Sequence, residues 1–326
     1  MVRVAWPSLH LFVRLTCRCC CAVLDVPWSL PSSTPLHLAR RRLSGPGSVS
    51  LMWLRAAPLE RAQLPEPGTP AWTSFLCEVL AEAFSIARQV NVSLRWGTVQ
   101  GQGKTVTASI PSLDPPGSPL RHAHWHSRSS LHFFQDSSLT FDAFEQGLLR
   151  DHTRHEQDYI EALEHAECLE TLVPGLADIW HLKYRTPMCT SNRDFVELVL
   201  MLPLPSAPLP FNVFHERETL HMLQETGSLP ARCDKTARRS FMVVSLPIKH
   251  AESPGYVRGY YASVEGVRED VTMVRPGELG TQWMLSTQTE AGGLIPRWMQ
   301  ELAMPSQIKA DVPAFLRWAQ AQAKRT

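Results

Sequence analysis

The stretch that decides the fold is IWHLKYRTPMCTSNRDFVELVL, residues 179–200. In its first half the side chains alternate between the two faces of an extended strand, with Trp180, Leu182 and Tyr184 on one face and polar side chains on the other. Its second half, after Arg193, is largely apolar on both faces, as expected for a strand that is covered on two sides. The stretch therefore predicts two neighbouring strands of a buried sheet, joined by a turn.

The remaining pattern predicts an α+β protein. Three helices are expected, at residues 73–89, at residues 140–168 and at the C-terminus, the last broken or bent at Pro305 and near Pro313. Further strands are expected at residues 92–96, 105–110, 125–133, 241–249, 256–269 and 281–289. Strands that cluster after one long helix favour an antiparallel sheet, which usually buries one face. The C-terminal helix is the natural cover for that face.

The C-terminal helix carries an apolar stripe that supports this role. Apolar side chains recur along it at Leu294, Trp298, Leu302, Ile308, Val312, Phe315 and Ala319. Side chains three or four residues apart share one side of a helix. We therefore expect the whole stripe to lie against the concave side of the sheet.

The composition limits the class of function. The 326 residues are 44% hydrophobic and 19% charged, which allows a sizeable core. The formal net charge of +1 does not favour a nucleic-acid surface. No apolar run of about 18 uncharged residues predicts a transmembrane helix. Four of the eight cysteines crowd within residues 17–21, and the other four are scattered singly with no CxxC pair. This is neither a disulfide framework nor a zinc site, and it favours a reducing compartment and a cytoplasmic protein.

Residues 1–51 differ from the rest of the chain, because they contain six arginines and one acid. The lack of apolar periodicity favours a disordered tail, or an upstream extension of a shorter natural chain that starts at Met52. An arginine-rich, acid-poor segment is also typical of mitochondrial targeting, and a cysteine cluster of palmitoylation. We expect residues 52–326 to form the domain.

Two motifs resemble catalytic or metal sites and fit them poorly. Gly97 precedes Gly103-Lys104-Thr105 by five intervening residues, whereas a phosphate-binding loop has four, and a predicted strand follows instead of a helix. A hairpin loop is favoured there. His122, His124 and His126 alternate along a predicted strand, but Arg128 continues the same face, so a solvated strand edge is favoured over a metal site.

Two further motifs are better explained by structure than by chemistry. His152, His155 and Glu156 stand in the wrong order for a zinc-protease motif, which favours a surface position. In the turn before the second strand, Asp194 can accept backbone hydrogen bonds and Arg193 can clamp a neighbouring loop. We predict no catalytic residue, no metal site and no cofactor.

Three passages resemble START lipid-transfer domains, and they come in the order and spacing of that family. The turn and strand at residues 192–196 are similar to its Asn-Arg-Asp-Phe-Val passage. Residues 256–269 (YVRGYYASVEGVRE) resemble a later strand that begins Val-Arg, and residues 292–298 (GGLIPRW) resemble the entry into its terminal helix. The resemblance covers about residues 125–320 and is closest to an uncharacterised START-like branch.

The resemblance implies a START-like helix-grip fold, in which a curved antiparallel sheet grips a long C-terminal helix around an apolar cavity. START domains often carry a cavity-facing arginine where this chain has Val199, so the usual polar anchor is missing and a greasier cavity is expected. The candidate cavity residues are Trp180, Tyr184, Glu197, Val199, Arg258, Tyr261, Ser263, Glu265, Trp283, Leu294 and Trp298.

The implied function is binding of a lipid or sterol, as a carrier or sensor that makes transient membrane contact and binds no nucleic acid. Two alternatives remain open. One is an interaction module whose cavity is filled by side chains, which the ten tryptophans make plausible. The other is a helix-grip enzyme acting on an apolar substrate, which requires a paired acid and base inside the cavity. No such pair is evident from the sequence.

Overall fold

The computed structural model describes residues 51–93, 105–112, 114, 117–120, 122–186, 191–205, 216–230, 238–271 and 277–325. All of them belong to the unit that runs from Gly47 to Thr326. The predictions for residues 1–50 and for the glycine-rich loop after Gly97 lie outside the described residues. Within these ranges, no helix combines the length and the apolar character that crossing a bilayer requires.

The described strands form one sheet. They are β1 (Val106–Ile110), β2 (Trp125–Phe133), β3 (Leu163–Val173), β4 (Ala177–Tyr184), β5 (Arg193–Leu204), β6 (Ser240–Pro247), β7 (Val257–Arg258), β8 (Tyr260–Val271) and β9 (Leu279–Glu290). Their order is β1-β2-β9-β8-β6-β5-β4-β3, with every neighbouring pair antiparallel, and the short β7 pairs parallel with β5.

Helices occupy both sides of this sheet. They are α1 (Pro70–Ser93), the short α2 (Phe134–Ser137) and α3 (Phe141–Phe144), a π-helical turn (Glu145–Leu149), α4 (His152–Tyr159), α5 (Glu216–Thr226) and α6 (Arg297–Ala323). A 3₁₀ turn at Arg61–Gln63 comes before α1. The α+β helix-grip architecture predicted from the sequence is confirmed by this arrangement of a large antiparallel sheet and a long C-terminal helix.

Each face of the sheet belongs to its own hydrophobic cluster. On what we call the outer face, side chains such as Leu198, Val244 and Val264 pack with α1. On the inner face, side chains such as Val199 and Trp283 pack with α6 and with residues 139–149. The expectation that the sheet buries one face was therefore wrong, whereas the two-sided apolar pattern of β5 correctly indicated a covered strand.

The predicted helix at residues 140–168 is wrong in its second half. The helical region ends at Tyr159, and residues 163–173 form the edge strand β3. Three register shifts interrupt the pairing of β3 with β4, so its side chains do not keep a clean two-residue alternation. Without that alternation, the sequence pattern carries no strand signal.

The C-terminal helix also differs from its prediction. The helix was expected to be broken or bent at Pro305 and near Pro313, and α6 is one unbroken element that contains both prolines. Pro313 is exposed, so the carbonyl that loses its helical partner there is free to meet water. Sequence patterning also missed α5 and predicted a strand from residue 92, where α1 continues to Ser93.

The apolar stripe of α6 divides into two parts. Ile308, Val312, Phe315 and Ala319 are buried, as predicted. In contrast, Leu294 is 100% exposed, Trp298 67% and Leu302 76%, so the prediction that these three lie against the sheet is wrong. The C-terminal part of α6 therefore anchors the helix, and its first turns present apolar side chains to the outside.

Candidate ligand-binding site

Eight of the predicted cavity residues lie together on the inner face. Trp180, Val199 and Trp283 belong to the inner cluster, and Tyr184 and Tyr261 pack at its border. Strand alternation puts Glu197 on the same face as Val199, and Ser263 and Glu265 on the same face as Tyr261. The other three predicted residues, Arg258, Leu294 and Trp298, lie elsewhere.

Arg258 takes part in a buried structural network on the other side of β5. Its guanidinium donates to both carboxylate oxygens of Asp194, at 3.0 and 2.7 Å, and also to the carbonyls of His250 and Ala251. Asp194 is fully buried. Burial alone raises the pKa of Asp194, but hydrogen bonds from Arg258, Ser253 and His181 outweigh it and lower the pKa to about 2. Arg258 is thus committed to Asp194 and is not a cavity residue.

The same network contains serine, histidine and aspartate without forming a catalytic triad. Asp194 and Ser253 both contact Nε2 of His181, at 2.9 and 3.2 Å. A triad requires the two ring nitrogens to face different partners. The neighbouring Arg193 donates to the carbonyl of Ala291, just before the glycine pair that leads into α6. The structural interpretation of the Asn-Arg-Asp turn therefore agrees with these contacts.

An arginine on β2 supplies the inner face with a cation. Arg128 is 1% exposed, and its guanidinium lies 3.9 Å from the centre of the Trp283 ring. One of its nitrogens is 3.5 Å from Glu265, whose carboxylate also accepts a 2.6 Å hydrogen bond from the Trp283 indole. Nε and Nη1 of Arg128 have no hydrogen-bond partner. The expectation of a solvated strand edge is wrong here, because Arg128 is buried. The expectation of a more apolar cavity is also wrong, because Arg128 supplies the inner face with the cation that is missing at Val199.

Helix α4 adds a histidine and an acid to this group. Nδ1 of His152 donates to the carbonyl of Leu148 at 2.6 Å and lies 3.9 Å from Glu265. Nε2 of the same ring lies 3.5 Å from Glu156. Burial raises the pKa of Glu156, and the negative charge of Glu265 raises it further. His152 is 5% exposed, so the predicted surface position is wrong for it.

Helix α6 brings a further acid to the same place. Asp311 stands on the buried side of α6, next to Val312 and one turn before Phe315. Burial raises the pKa of Asp311 to about 7, with Arg128 opposing the shift and the carboxylates of Glu156 and Glu265 adding to it. Acids from α4, α6 and β8 therefore converge on Arg128.

A second polar position lies farther along the inner face. Glu197 is fully buried, and neither of its carboxylate oxygens has a hydrogen-bond partner of standard geometry. Burial raises the pKa of Glu197 well above its usual range, despite the nearby backbone N–H of Tyr261 and the charge of Arg258. A buried carboxyl in this setting is held in its neutral form.

Three tyrosines on the inner side are surrounded by protein and still have solvent-accessible surface. Burial raises the pKa of Tyr159, Tyr184 and Tyr261 well above the usual range, as it does in groups surrounded by protein. All three nevertheless keep an intermediate exposed fraction, as do Glu156 and Asp311. A side chain that is surrounded by protein and still has accessible surface is expected to border an enclosed space.

Two of the three alternating histidines contact α6 where β2 begins. Glu301 lies 3.1 Å from Nδ1 of His124 and 2.6 Å from Nε2 of His126. Burial lowers the pKa of His126, although the hydrogen bond that its ring donates to Glu301 opposes this shift. Among the described residues, no group of three or more side chains is arranged to hold a metal ion.

Comparison with known proteins gives a family and a set of distant structural neighbours. Residues 125–319 match a family described as Protein of unknown function (DUF3074). The uncharacterized protein C577.11 of Schizosaccharomyces pombe is 34% identical over 80 residues, which is 24% of this chain and 31% of that protein. The match thus spans about a third of the length of this curated relative.

Solved structures of lipid-transfer proteins are similar to the chain at low identity. Human StAR-related lipid transfer protein 5 is 14% identical, with a TM-score of 0.49, over 78% of this chain and 100% of that one. Human STARD10 is 14% identical, with a TM-score of 0.41, over 69% and 75%. A STAR-related lipid transfer protein from Xanthomonas axonopodis is 12% identical, with a TM-score of 0.40, over 68% and 96%.

Sequence reasoning missed four members of the polar cluster around Arg128. Arg128, His152 and Glu156 were interpreted as surface residues, and no local signal contradicts that, since a polar residue on an amphipathic element normally faces water. Asp311 did carry a signal. It interrupts the apolar stripe between Ile308 and Phe315, so helical spacing puts its carboxyl on the buried side.

Proposed function

The chain belongs to the DUF3074 family of proteins of unknown function, and we propose that it binds a lipid or sterol between the inner face of the sheet and α6. The observation that carries this proposal is the set of inner-side groups that are surrounded by protein and still have accessible surface, among them Tyr184 and Tyr261. A side chain in a filled core has atoms packed against it on all sides. The START-like sequence passages support the same conclusion.

The exposed apolar residues at the start of α6 fit the membrane contact that a carrier needs. Trp298, Met299 and Leu302 are 67%, 47% and 76% exposed, and Leu294 precedes them at 100%. Large exposed apolar residues grouped on one element typically mark an interaction site. We propose that these four residues, called here the entry patch, contact a bilayer while the ligand passes under α6.

A cytoplasmic location belongs to the same proposal. Cys77 and Cys168 are free thiols. Free thiols that are partly accessible are typical of proteins kept in a reducing compartment.

The direct test is native mass spectrometry of the purified full-length protein, followed by lipid extraction. We expect a complex heavier than the polypeptide, from which an apolar molecule is extracted. A fluorescent sterol or phospholipid should then move between two populations of vesicles faster when the protein is added. No co-purified molecule, together with no uptake of either probe, would contradict the carrier proposal and favour an interaction module with a filled cavity.

An enzyme is the second candidate, and the cluster around Asp311 favours it. His152 and Glu156 lie 3.5 Å apart, and the pKa of Asp311 is raised to about 7, close to the pH at which general acids and bases work best. The same extraction distinguishes the two functions. A carrier returns its ligand with unchanged mass after long incubation, whereas an enzyme returns a product of different mass.

A further inference from the structure

Acids outnumber basic side chains in the polar cluster on the inner side. Glu156 on α4, Glu265 on β8 and Asp311 on α6 act on one another there, and Glu197 on β5 lies farther along the same face. Among the described residues, Arg128 is the permanent cation whose charge acts on both Glu156 and Asp311. It is already paired with Glu265, which also holds the Trp283 indole. Glu156 and Asp311 therefore share one permanent cation that is already paired with Glu265.

A second observation does not depend on these charges: two buried polar side chains have atoms without a hydrogen-bond partner. Nε and Nη1 of Arg128 donate no hydrogen bond, and both carboxylate oxygens of Glu197 are without a partner of standard geometry. Arg128 is 1% exposed, and Glu197 is fully buried. A buried donor or acceptor without a partner destabilises the protein that carries it. Both groups lie on the inner face, and a ligand atom that accepts hydrogen bonds would satisfy the free N–H groups of Arg128.

We propose that the ligand held here is an amphiphile whose polar end combines an ammonium group with a hydroxyl oxygen and carries neither phosphate nor carboxylate. The ammonium group pairs with the acids from α4 and α6, and the hydroxyl oxygen accepts from the free N–H groups of Arg128. This proposal rests on the proposed function, because it names the chemical class of the ligand at the same site.

The acidic excess explains why an anionic head group fits poorly. A phosphate or carboxylate placed near Arg128 also lies near Glu156, Glu265 and Asp311, which act on one another through the same space. Like charges in a desolvated site repel strongly. An ammonium group instead allows one of these acids to ionise, so that the new charges compensate each other.

Affinity for the amine should depend on pH. Asp311, with a pKa of about 7 in the empty protein, interacts with Arg128 from β2, Glu156 and Tyr159 from α4, Tyr184 from β4 and Glu265 from β8. At pH 6 its carboxyl is mostly protonated and has to lose the proton before it pairs with an ammonium ion. Binding of the amine therefore strengthens as the pH rises, by about tenfold from pH 6 to pH 8.

The experiment compares three amphiphiles that share a twelve-carbon chain with a hydroxyl group at C2: 1-amino-2-dodecanol, 1,2-dodecanediol and 2-hydroxydodecanoate. They differ at C1, which carries an ammonium group, carries a hydroxyl group or is a carboxylate. Their dissociation constants are measured with the full-length protein at pH 6 and pH 8 by competition in native mass spectrometry. At pH 8 we expect the dissociation constant of the amine to be lower than that of the diol by about tenfold or more. The carboxylate should bind most weakly. The affinity of the diol should not change with pH.

The variants Asp311→Asn and Glu156→Gln test which residues are responsible. Each should bring the amine close to the diol in affinity, and Asp311→Asn should also abolish the pH dependence. Asp158→Asn makes the same charge change at an exposed position on α4 and should preserve the preference. Equal binding of the carboxylate and the amine, or an unchanged preference in both cluster variants, overturns the inference while the carrier function stands. If none of the three molecules binds while a fluorescent sterol or phospholipid is still taken up, the inference fails and the carrier function stands. If those probes are not taken up either and no molecule co-purifies, the proposed function fails as well.

Discussion

Asp194 tests how much a single buried ion pair contributes to stability. Its carboxylate accepts two hydrogen bonds from Arg258 and one from His181. Asp194→Asn leaves the Arg258 charge buried without an anionic partner, so we expect the free energy of unfolding at pH 7 to fall by about 3–5 kcal/mol. Urea denaturation measures this. Glu164→Gln, which removes the partner of Arg185 in an exposed pair, is the control and should cost less than about 1 kcal/mol.

The pH dependence gives a second measurement on the same residue. Because the folded-state pKa of Asp194 is about 2, below the unfolded value, its ionised form stabilises the native state. That contribution, roughly 2–3 kcal/mol, is complete above about pH 5 and is lost as the pH falls toward 2. The Asn variant should therefore lose less stability than the wild type between pH 5 and pH 2. Parallel curves for the two proteins would argue against the assigned ion pair.

Gly147 tests how closely α6 approaches the π-helical turn. A Cβ atom at this position would lie 2.6 Å from Cε2 of Phe315 and 2.7 Å from the ring of Trp318. Gly147→Ala should therefore destabilise the protein by about 1–3 kcal/mol, as overpacking does. If α6 did not dock here, the same change would stabilise the helical turn by roughly 0.5–1 kcal/mol. The sign of the change in thermal denaturation decides between the two.

At the level of single residues, strand alternation was enough to predict which side chains share the inner face, but not the cluster of charged side chains around Arg128. Trp180, Tyr184 and Val199 share the inner face because neighbouring strands pair in register, and a period of two residues reveals that from sequence. Arg128 and Asp311 are far apart along the chain. The charge of Arg128 reaches Asp311 because β2 pairs with β9 and α6 docks across the inner face, and neither arrangement is encoded in a local pattern.

At the level of elements, α6 is expected to respond differently at its two ends. Phe315 is fully buried, with ring centroids 5.0 Å from Trp283 and 5.2 Å from Phe144. Phe315→Ala should cost about 3–5 kcal/mol of stability. Trp298→Ala, in the entry patch, should change stability by less than about 0.5 kcal/mol, because the side chain is 67% exposed.

The readout for Trp298 is membrane association rather than stability. Trp298→Ala should weaken co-sedimentation with neutral vesicles and slow ligand transfer, since a tryptophan ring contributes strongly to interfacial binding. Arg317→Ala, at an exposed position in the anchoring part of α6, is the control and should leave both unchanged. A Trp298 variant that binds vesicles and transfers ligand like the wild type contradicts the proposed membrane contact.

The element-scale predictions succeeded where periodicity was clean. β2 was predicted with its observed bounds, because its ends coincide with a change in the pattern. β3 failed because its register shifts remove the alternation, and its charged residues, such as Glu164 and Glu167, are equally compatible with a helix. The exposed start of α6 failed for a different reason: an apolar stripe predicts which side of a helix is apolar, but not whether another element covers it.

At the level of the whole molecule, the boundary of the domain is set by contacts rather than by composition. Leu51 and Leu54 are 2% and 0% exposed and belong to the outer cluster. Glu82 of α1 accepts hydrogen bonds from the backbone N–H groups of Met52 at 2.7 Å, Trp53 at 3.0 Å and Leu54 at 2.9 Å. The segment from Leu51 to Leu54 is thus part of the fold.

We therefore predict that residues 1–46 are dispensable for folding and that the next dozen are not. A chain that begins at Gly47 should keep the melting temperature of the full-length protein, because its described core is complete. A chain that begins at Pro58 lacks Leu51 and Leu54 and leaves the carboxylate of Glu82 without its three backbone donors. Losing two buried leucines costs about 2–5 kcal/mol each, which for a domain of this size lowers the melting temperature by many degrees. Differential scanning calorimetry of the three chains measures this, and a large drop already at Gly47 would show that the domain extends into the N-terminal segment.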